Sequence, residues 1–243
     1  MSLHVIILAA GKGSRMKSDT PKVLHPVAGT PMLHRVMSTA KRLAPEQLHL
    51  VLGHGIEAIQ DTLADQWSAT NIVQQAEQLG TGHAVNIALD HLPNDGISLV
   101  LYGDVPLITV DTLEHCVAIA DAGELGIVTA NMSDPAQLGR ILRNDTDSIE
   151  AIVEYKDATQ QQRAIHEINS GILAAPTHLL RHWLSQVQPN NQQGEYYLTD
   201  VVALAVNDGV GVQGIVVDDE NEVMGVNDRV QLSQVERILQ RRQ

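Results

Sequence analysis

The stretch HVIILAAGKGSRMKSDTPKVL, residues 4–24, joins a near-continuous apolar run to a loop holding two glycines, a Thr-Pro pair and four cations. HVIILAA (4–10) has the unbroken aliphatic character of a strand buried on both faces. The loop Gly11-Lys12-Gly13-Ser14-Arg15-Met16 fits neither common phosphate loop. The dinucleotide fingerprint needs a glycine where Met16 stands, and the P-loop needs Gly-Lys-Ser/Thr at its end. Glycines after a first strand often serve only the turn, but a plain turn does not explain the charge. Lys12, Arg15, Lys17 and Lys22 are four of the chain's 16 Lys+Arg, beside one of its 29 Asp+Glu, in a chain of net charge −13. Glycines let backbone N–H groups approach an anion. Arg15 offers a planar fork of donors and Lys22 a compact charge. Thr20-Pro21 fixes the backbone just before Lys22. The run has the chemistry of a polyphosphate-binding loop.

Outward from this loop, short apolar runs alternate with amphipathic ones. Strands are expected at 49–53, 71–75, 97–104 and 126–132. Helices are expected at 31–43, 55–65, 80–92 and 111–123. This βαβα order predicts an α/β fold with a mainly parallel sheet covered on both faces. Ligands in such sheets sit beyond the carboxyl ends of the strands, where both the opening loop and Asp104 fall. The pattern then changes. RILRND (140–145) and SIEAIVEYKD (148–157) predict an antiparallel pair. EINSGILAA (167–175) predicts a strand, 178–187 and 195–209 helices, 210–217 a strand, and 228–243 a closing amphipathic helix. One domain with a small inserted β lobe accounts for this order.

The 243 residues can bury a sizeable core, and with no Phe, two Trp and four Tyr it must be built from aliphatics. No apolar run approaches the ~20 residues that span a bilayer, and the N-terminus lacks a signal-peptide pattern. The lone Cys116, on an expected helix, excludes an internal disulfide and reads as a buried, inert thiol. A cytoplasmic protein that touches neither membrane nor nucleic acid is expected, since a phosphate backbone rewards broad positive surfaces. The eleven histidines form no convincing metal set. His178 and His182 share a helix face without a third ligand.

The motifs LAAGKGSRM and TPKVL resemble the signature of the sugar-phosphate nucleotidyltransferases. QQAEQLGTGHA (74–84), LYGDVPLI (101–108), IVEYKDAT (152–159), EINSGI (167–172), GEYYLTD (194–200) and GVNDRVQL (225–232) narrow the match. Their order is similar to the pyrophosphorylase half of the bifunctional N-acetylglucosamine-1-phosphate uridylyltransferase/glucosamine-1-phosphate acetyltransferase family. The resemblance implies a Rossmann-like nucleotide-diphospho-sugar transferase fold with a sugar-binding β lobe. The domain would span 1–227, with a linker helix at 228–243. The implied reaction is transfer of UMP from UTP to N-acetylglucosamine-1-phosphate, giving UDP-N-acetylglucosamine, a precursor of peptidoglycan and lipopolysaccharide, and pyrophosphate.

Residue roles follow from the resemblance. Leu8, Ala9, Ala10, Gly11, Gly13, Gln75, Gln78, Gly80, Thr81, Tyr102 and Gly103 would bind the nucleotide. Arg15 and Lys22 would hold its phosphates. Asp104 and Asn227 would ligate Mg²⁺, a cation that prefers hard oxygens. Gly139, Glu154, Asn169, Tyr197, Thr199 and Asn227 would bind the sugar. Taken singly, several have plainer readings. Asp104 could be a turn cap, Asn227 a helix N-cap, Gln75 a strand-end amide and Glu154 a solvated carboxylate. Leu138 stands where many relatives are expected to carry an aromatic. A phosphate monoester is largely ionised at neutral pH, its second pKa being about 6. The attack then needs charge neutralisation and alignment rather than a general base.

The family's second half, a left-handed β-helix of hexapeptide repeats, has no counterpart in these residues. A truncated or natural single-domain form is expected, without acetyl transfer and without that half's trimer contacts. Three alternatives remain: a Rossmann oxidoreductase, a non-catalytic nucleotide sensor, and a related nucleotidyltransferase using glucose-1-phosphate or dTTP.

Overall fold

The computed structural model describes residues 1–53, 55–63 and 70–242. The first half runs β1 (Leu3–Leu8), a small hairpin of β2 (Pro26–Val27) and β3 (Thr30–Pro31), α1 (Met32–Arg42), β4 (Gln47–Leu52), α2 (Ile56–Leu63), β5 (Asn71–Gln74), α3 (Thr81–Leu89), β6 (Ile97–Tyr102) and α4 (Val110–Asp121). The second half runs β7 (Leu125–Asn131), β8 (Arg140–Arg143), β9 (Ile149–Val153), α5 (Gln160–Arg163), β10 (Glu167–Pro176), α6 (Thr177–Leu184), α7 (Asp200–Asn207), β11 (Val212–Val216) and α8 (Arg229–Arg242). The end of the helix expected at 55–65 lies outside the described residues.

Seven strands line up as β11-β7-β10-β6-β1-β4-β5, with β8 and β9 branching from β10. β1 pairs in parallel with β4 and β6, β4 with β5, and β7 with β11. β10 alone runs antiparallel within this row, against both β6 and β7. The sheet is therefore mixed and mainly parallel, flanked by helices, as expected. The β8–β9 pair forms the inserted lobe.

Strand β1 shows why the sheet forms. Val5, Ile6 and Ile7 are fully buried, so both faces must be covered. On one face Val5 and Ile7 pack with Leu99 and Leu101 of β6, Val36, Met37 and Ala40 of α1, and Leu113 and Cys116 of α4. On the other, Ile6 and Leu8 pack with Val85 and Ala88 of α3, Trp183 of α6 and Val202 of α7. Val27, Met32, Leu107 and Val226 form a third cluster that seats Val235 of α8. Cys116 is fully buried, donates to Gly126 O at 3.4 Å, and has its thiol pushed up to about 12 by burial. It is the inert thiol that was expected. Among the described residues, no helix is long and apolar enough to cross a membrane.

One expected element is shorter. The helix read at 195–209 spans only Asp200–Asn207. The Tyr196 amide donates to Leu79 O at 2.8 Å, and its carbonyl accepts from Gly82 N at 2.8 Å. Both main-chain groups that a helix would use are committed to a distant loop.

Candidate active site

Asp104 stands two residues beyond the end of β6, at the carboxyl end of the sheet. Val226 N donates to Asp104 O at 2.9 Å, which brings the 225–228 segment against it. Asn227 is thereby placed beside Asp104 from more than 120 residues away in sequence. Lys22 reaches between them. Its ammonium pairs with Asp104 Oδ2 and donates to Asn227 Oδ1 at 3.1 Å. Gly13 makes this approach possible. Its φ is +60°, and a Cβ there would lie 2.6 Å from Lys22 Cβ. The site is built around a cation held by two hard oxygens. That donor set suits Mg²⁺, which takes one or two protein oxygens and leaves its other positions to phosphates and water.

A cavity of about 230 Å³ opens beside this cluster, lined by Leu8, Ala9, Ala10, Gly11, Gln75, Gln78, Gly80, Thr81, Tyr102 and Asp104. Ten of the residues expected from the sequence thus share one concavity. Gly103 N donates to Leu8 O at 2.9 Å, tying the 101–104 turn to the opening loop. Gln78 Nε2 donates to Ala10 O at 2.5 Å. Gln75 is nearly buried, and its Nε2 lies 3.2 Å from Gly80 O and 3.1 Å from His83 Nδ1. Thr81 Oγ1 accepts from Leu198 N at 3.1 Å.

A second, narrow cavity of about 10 Å³ is lined by Tyr102, Asn169, Gly171 and Thr199, with Ile152, Leu173 and Leu198. Tyr102 belongs to both cavities and marks their junction. Burial pushes its phenol well up, and Glu154 and Asp104 add to the shift. Strand β10 supplies the floor. Its register slips between Asn169 and Leu173, where Gly171 adopts φ +87°. A Cβ on Gly171 would meet the Tyr102 ring at 2.5 Å, so this glycine is what lets the ring lie against β10. A bulge of this kind re-aims side chains, here Asn169, which is held by Gly139 O accepting from Asn169 N at 2.9 Å. Gly139 also faces Glu154; a Cβ there would sit 3.5 Å from the Glu154 carboxylate oxygens. Thr199 donates to Glu154 Oε1 at 3.2 Å, and burial raises the Glu154 pKa.

Two expected residues stand apart. Arg15 is exposed and lines a different depression with Lys17, Asp228 and Arg229. Tyr197 is buried, its hydroxyl accepting from Gln193 Nε2 at 2.8 Å, and it lines neither cavity. Conversely, Val23, Ala84 and Glu195 line the larger cavity without having been singled out. Glu195 was hidden by the helical reading of its segment. Among the described residues no group of three or more His, Cys, Asp and Glu could hold a metal.

A model of the MobA-like NTP transferase domain matches residues 5–192. Proteins named bifunctional protein GlmU are similar to this chain. That of Pseudomonas aeruginosa is 52% identical over 241 residues, covering 99% of this chain and 52% of the relative. That of Marinobacter nauticus is 53% identical over 241 residues, covering 99% and 53%. The chain thus spans about half the length of these relatives. Among solved structures, a UDP-glucose pyrophosphorylase complexed with UDP-glucose matches with TM-score 0.80 at 14% identity, covering 100% of both chains. A nucleotidyl transferase from Methanothermobacter matches with TM-score 0.68 at 18% identity, covering 100% of this chain and 99% of that one. At those identities the likeness concerns the fold alone.

Proposed function

The chain belongs to the MobA-like NTP transferase domain family, and from that premise we propose that it transfers UMP from UTP to N-acetylglucosamine-1-phosphate. The products are UDP-N-acetylglucosamine and pyrophosphate. The observation that carries this reading is the meeting of Lys22, Asp104 and Asn227 at one end of the larger cavity. The similarity to the GlmU proteins supports the choice of substrates.

In this reading the uracil lies against Gln75, Gly80 and Thr81, and the sugar extends past Tyr102 toward Asn169, Thr199 and Glu154. Gly11 leaves the loop backbone open to the phosphates, with no atom within 4 Å of where its Cβ would be. Lys22 turns from its two oxygen partners to the α- and β-phosphates, and exposed Arg15 folds over them. Asp104 and Asn227 would hold the divalent cation, Mg²⁺ by their hard-oxygen chemistry, which when bound neutralises phosphate charge. The sugar phosphate is already ionised, so the protein's task is to align it with the α-phosphorus and offset the repulsion between two anions. Residues 1–227 form the catalytic domain, and the segment after it carries α8 (Arg229–Arg242), which packs back against that domain. The enzyme works in the cytoplasm, which suits its single thiol.

Pyrophosphate release from a matrix of UTP, dTTP, CTP and ATP with N-acetylglucosamine-1-phosphate and glucose-1-phosphate tests the proposal. UTP with N-acetylglucosamine-1-phosphate is expected to turn over fastest, and chelation of divalent cations to stop it. Absence of pyrophosphate release from UTP with either sugar phosphate would refute the proposal.

A further inference from the structure

Gln75 is 4% exposed and lines the nucleotide cavity. The two ends of a carboxamide are distinguished by their hydrogen-bond partners. A main-chain carbonyl can only accept, so the atom 3.2 Å from Gly80 O must be the NH₂ group. Its other hydrogen points at His83 Nδ1, 3.1 Å away. That bond requires Nδ1 to accept, so the imidazole is neutral and carries its proton on Nε2. With both hydrogens committed, the atom of Gln75 left for a ligand is Oε1, an acceptor.

We infer that His83, in its Nε2–H tautomer, is a positioning residue for base selection. It locks the Gln75 carboxamide with its acceptor available to the cavity, so that the site takes a pyrimidine bearing an N3–H and rejects cytosine. Uracil and thymine present a donor at N3; cytosine presents an acceptor there. To accept cytosine, Gln75 would have to turn its carboxamide over. Oε1 would then face Gly80 O, acceptor against acceptor, and His83 would have to move its proton to Nδ1. Gly80 and His83 resist the turn together. Both are fixed to α3, whose first turn is tied down by the Gly82 N to Tyr196 O and Leu198 N to Thr81 Oγ1 bonds. The base-reading amide is therefore set by Gly80 O and the His83 ring rather than by the ligand.

The inference rests on the proposed use of UTP, and two measurements separate the two ideas. Long-range ¹H–¹⁵N spectra of the ligand-free wild-type protein report the His83 tautomer directly. A pyridine-type Nδ1 and a protonated Nε2 are expected; a protonated Nδ1 overturns the lock whatever the substrate. The ratio of kcat/KM for UTP over CTP is then compared in wild type, His83→Ala and His83→Asn. The alanine variant is expected to lose about tenfold of the ratio, the scale of one hydrogen bond. The asparagine variant, whose Oδ1 stands near the place of Nδ1, is expected to keep most of it. An alanine variant that loses overall rate but keeps the wild-type ratio makes His83 merely structural and overturns the inference. The tautomer is read on the wild-type chain, so the lock is tested even where a variant fails to fold. Failure of wild type to use UTP refutes the proposed function alone, because the tautomer is measured without nucleotide.

Discussion

Lys22 is the residue on which the proposed chemistry turns. In the structure its ammonium is shared by Asp104 and Asn227, and in the proposed reaction it serves the phosphates. Asp104→Ala and Lys22→Ala are each expected to lower kcat by about 10²–10³, the usual loss when one preorganised charge partner is removed. Thermal melts run beside the pyrophosphate assay check that the fold survives; a loss of rate explained by unfolding would not support the assignment. Gly13→Ala tests the approach of the loop. A side chain at φ +60° costs about 1–2 kcal/mol, and its Cβ would displace Lys22 from 2.6 Å. Its kcat is expected to fall at least tenfold. At this scale the sequence was informative at Gln75, Asp104 and Asn227, whose motifs the fold brings to one cavity and the cluster beside it. It was uninformative where rotamer and loop conformation decide. Arg15 belongs to the same motif as Lys22, yet it points to solvent because no partner holds it within the described residues.

At the scale of elements, α8 braces the opening loop. Arg229 donates to Met16 O at 3.0 Å and to Lys17 O at 3.3 Å, and Glu236 accepts from Ala28 N at 2.6 Å. Lys17 itself sits at φ 48°, a conformation that needs such support. Arg229→Ala is expected to raise KM for UTP several-fold with a smaller effect on kcat, because it loosens the loop without touching the phosphates; unchanged KM would show that α8 does not brace it. The strands were legible because buried β-branched runs have few other uses. The direction of β10 was not, since nothing in EINSGILAA distinguishes antiparallel from parallel pairing. The loop at 195–199 was misjudged as helix for a related reason. Its conformation is set by bonds to residues 79 and 82, which no local pattern records.

For the molecule as a whole, the buried His49 adds a dependence of stability on acid. His4 and His49 lie on adjacent strands, both almost fully buried, with His91 stacked on His49 at a centroid distance of 6.4 Å. Burial, then His91 and His4, push the His49 pKa from 6.5 down to about 4. The folded state therefore keeps this ring neutral while the unfolded chain takes up a proton below pH 6.5. Stability is expected to be full above about pH 6.5 and to fall as pH drops toward 4, by up to ~1.4 kcal/mol per pH unit for this one proton. Urea unfolding at pH 7, 6 and 5 checks this, and His49→Gln should flatten the slope; an identical slope in the variant would assign the effect elsewhere. The mainly parallel sheet was legible from the alternation of elements, and the charge pattern pointed to its carboxyl end, where the larger cavity opens. Its closure into two adjoining cavities was not, because that depends on Tyr102 lying against the β10 bulge, a contact between distant segments.

In the proposed reaction Asp104 and Asn227 give up Lys22 for a divalent cation as the nucleotide arrives. A crystal structure with UDP-N-acetylglucosamine and Mn²⁺, the metal located by anomalous scattering, tests it most directly. The metal is expected between Asp104 and Asn227, with Lys22 Nζ moved onto a phosphate oxygen and the uracil beside Gln75. A metal bound elsewhere, or Lys22 still paired with Asp104 when the ligand is in place, would contradict it.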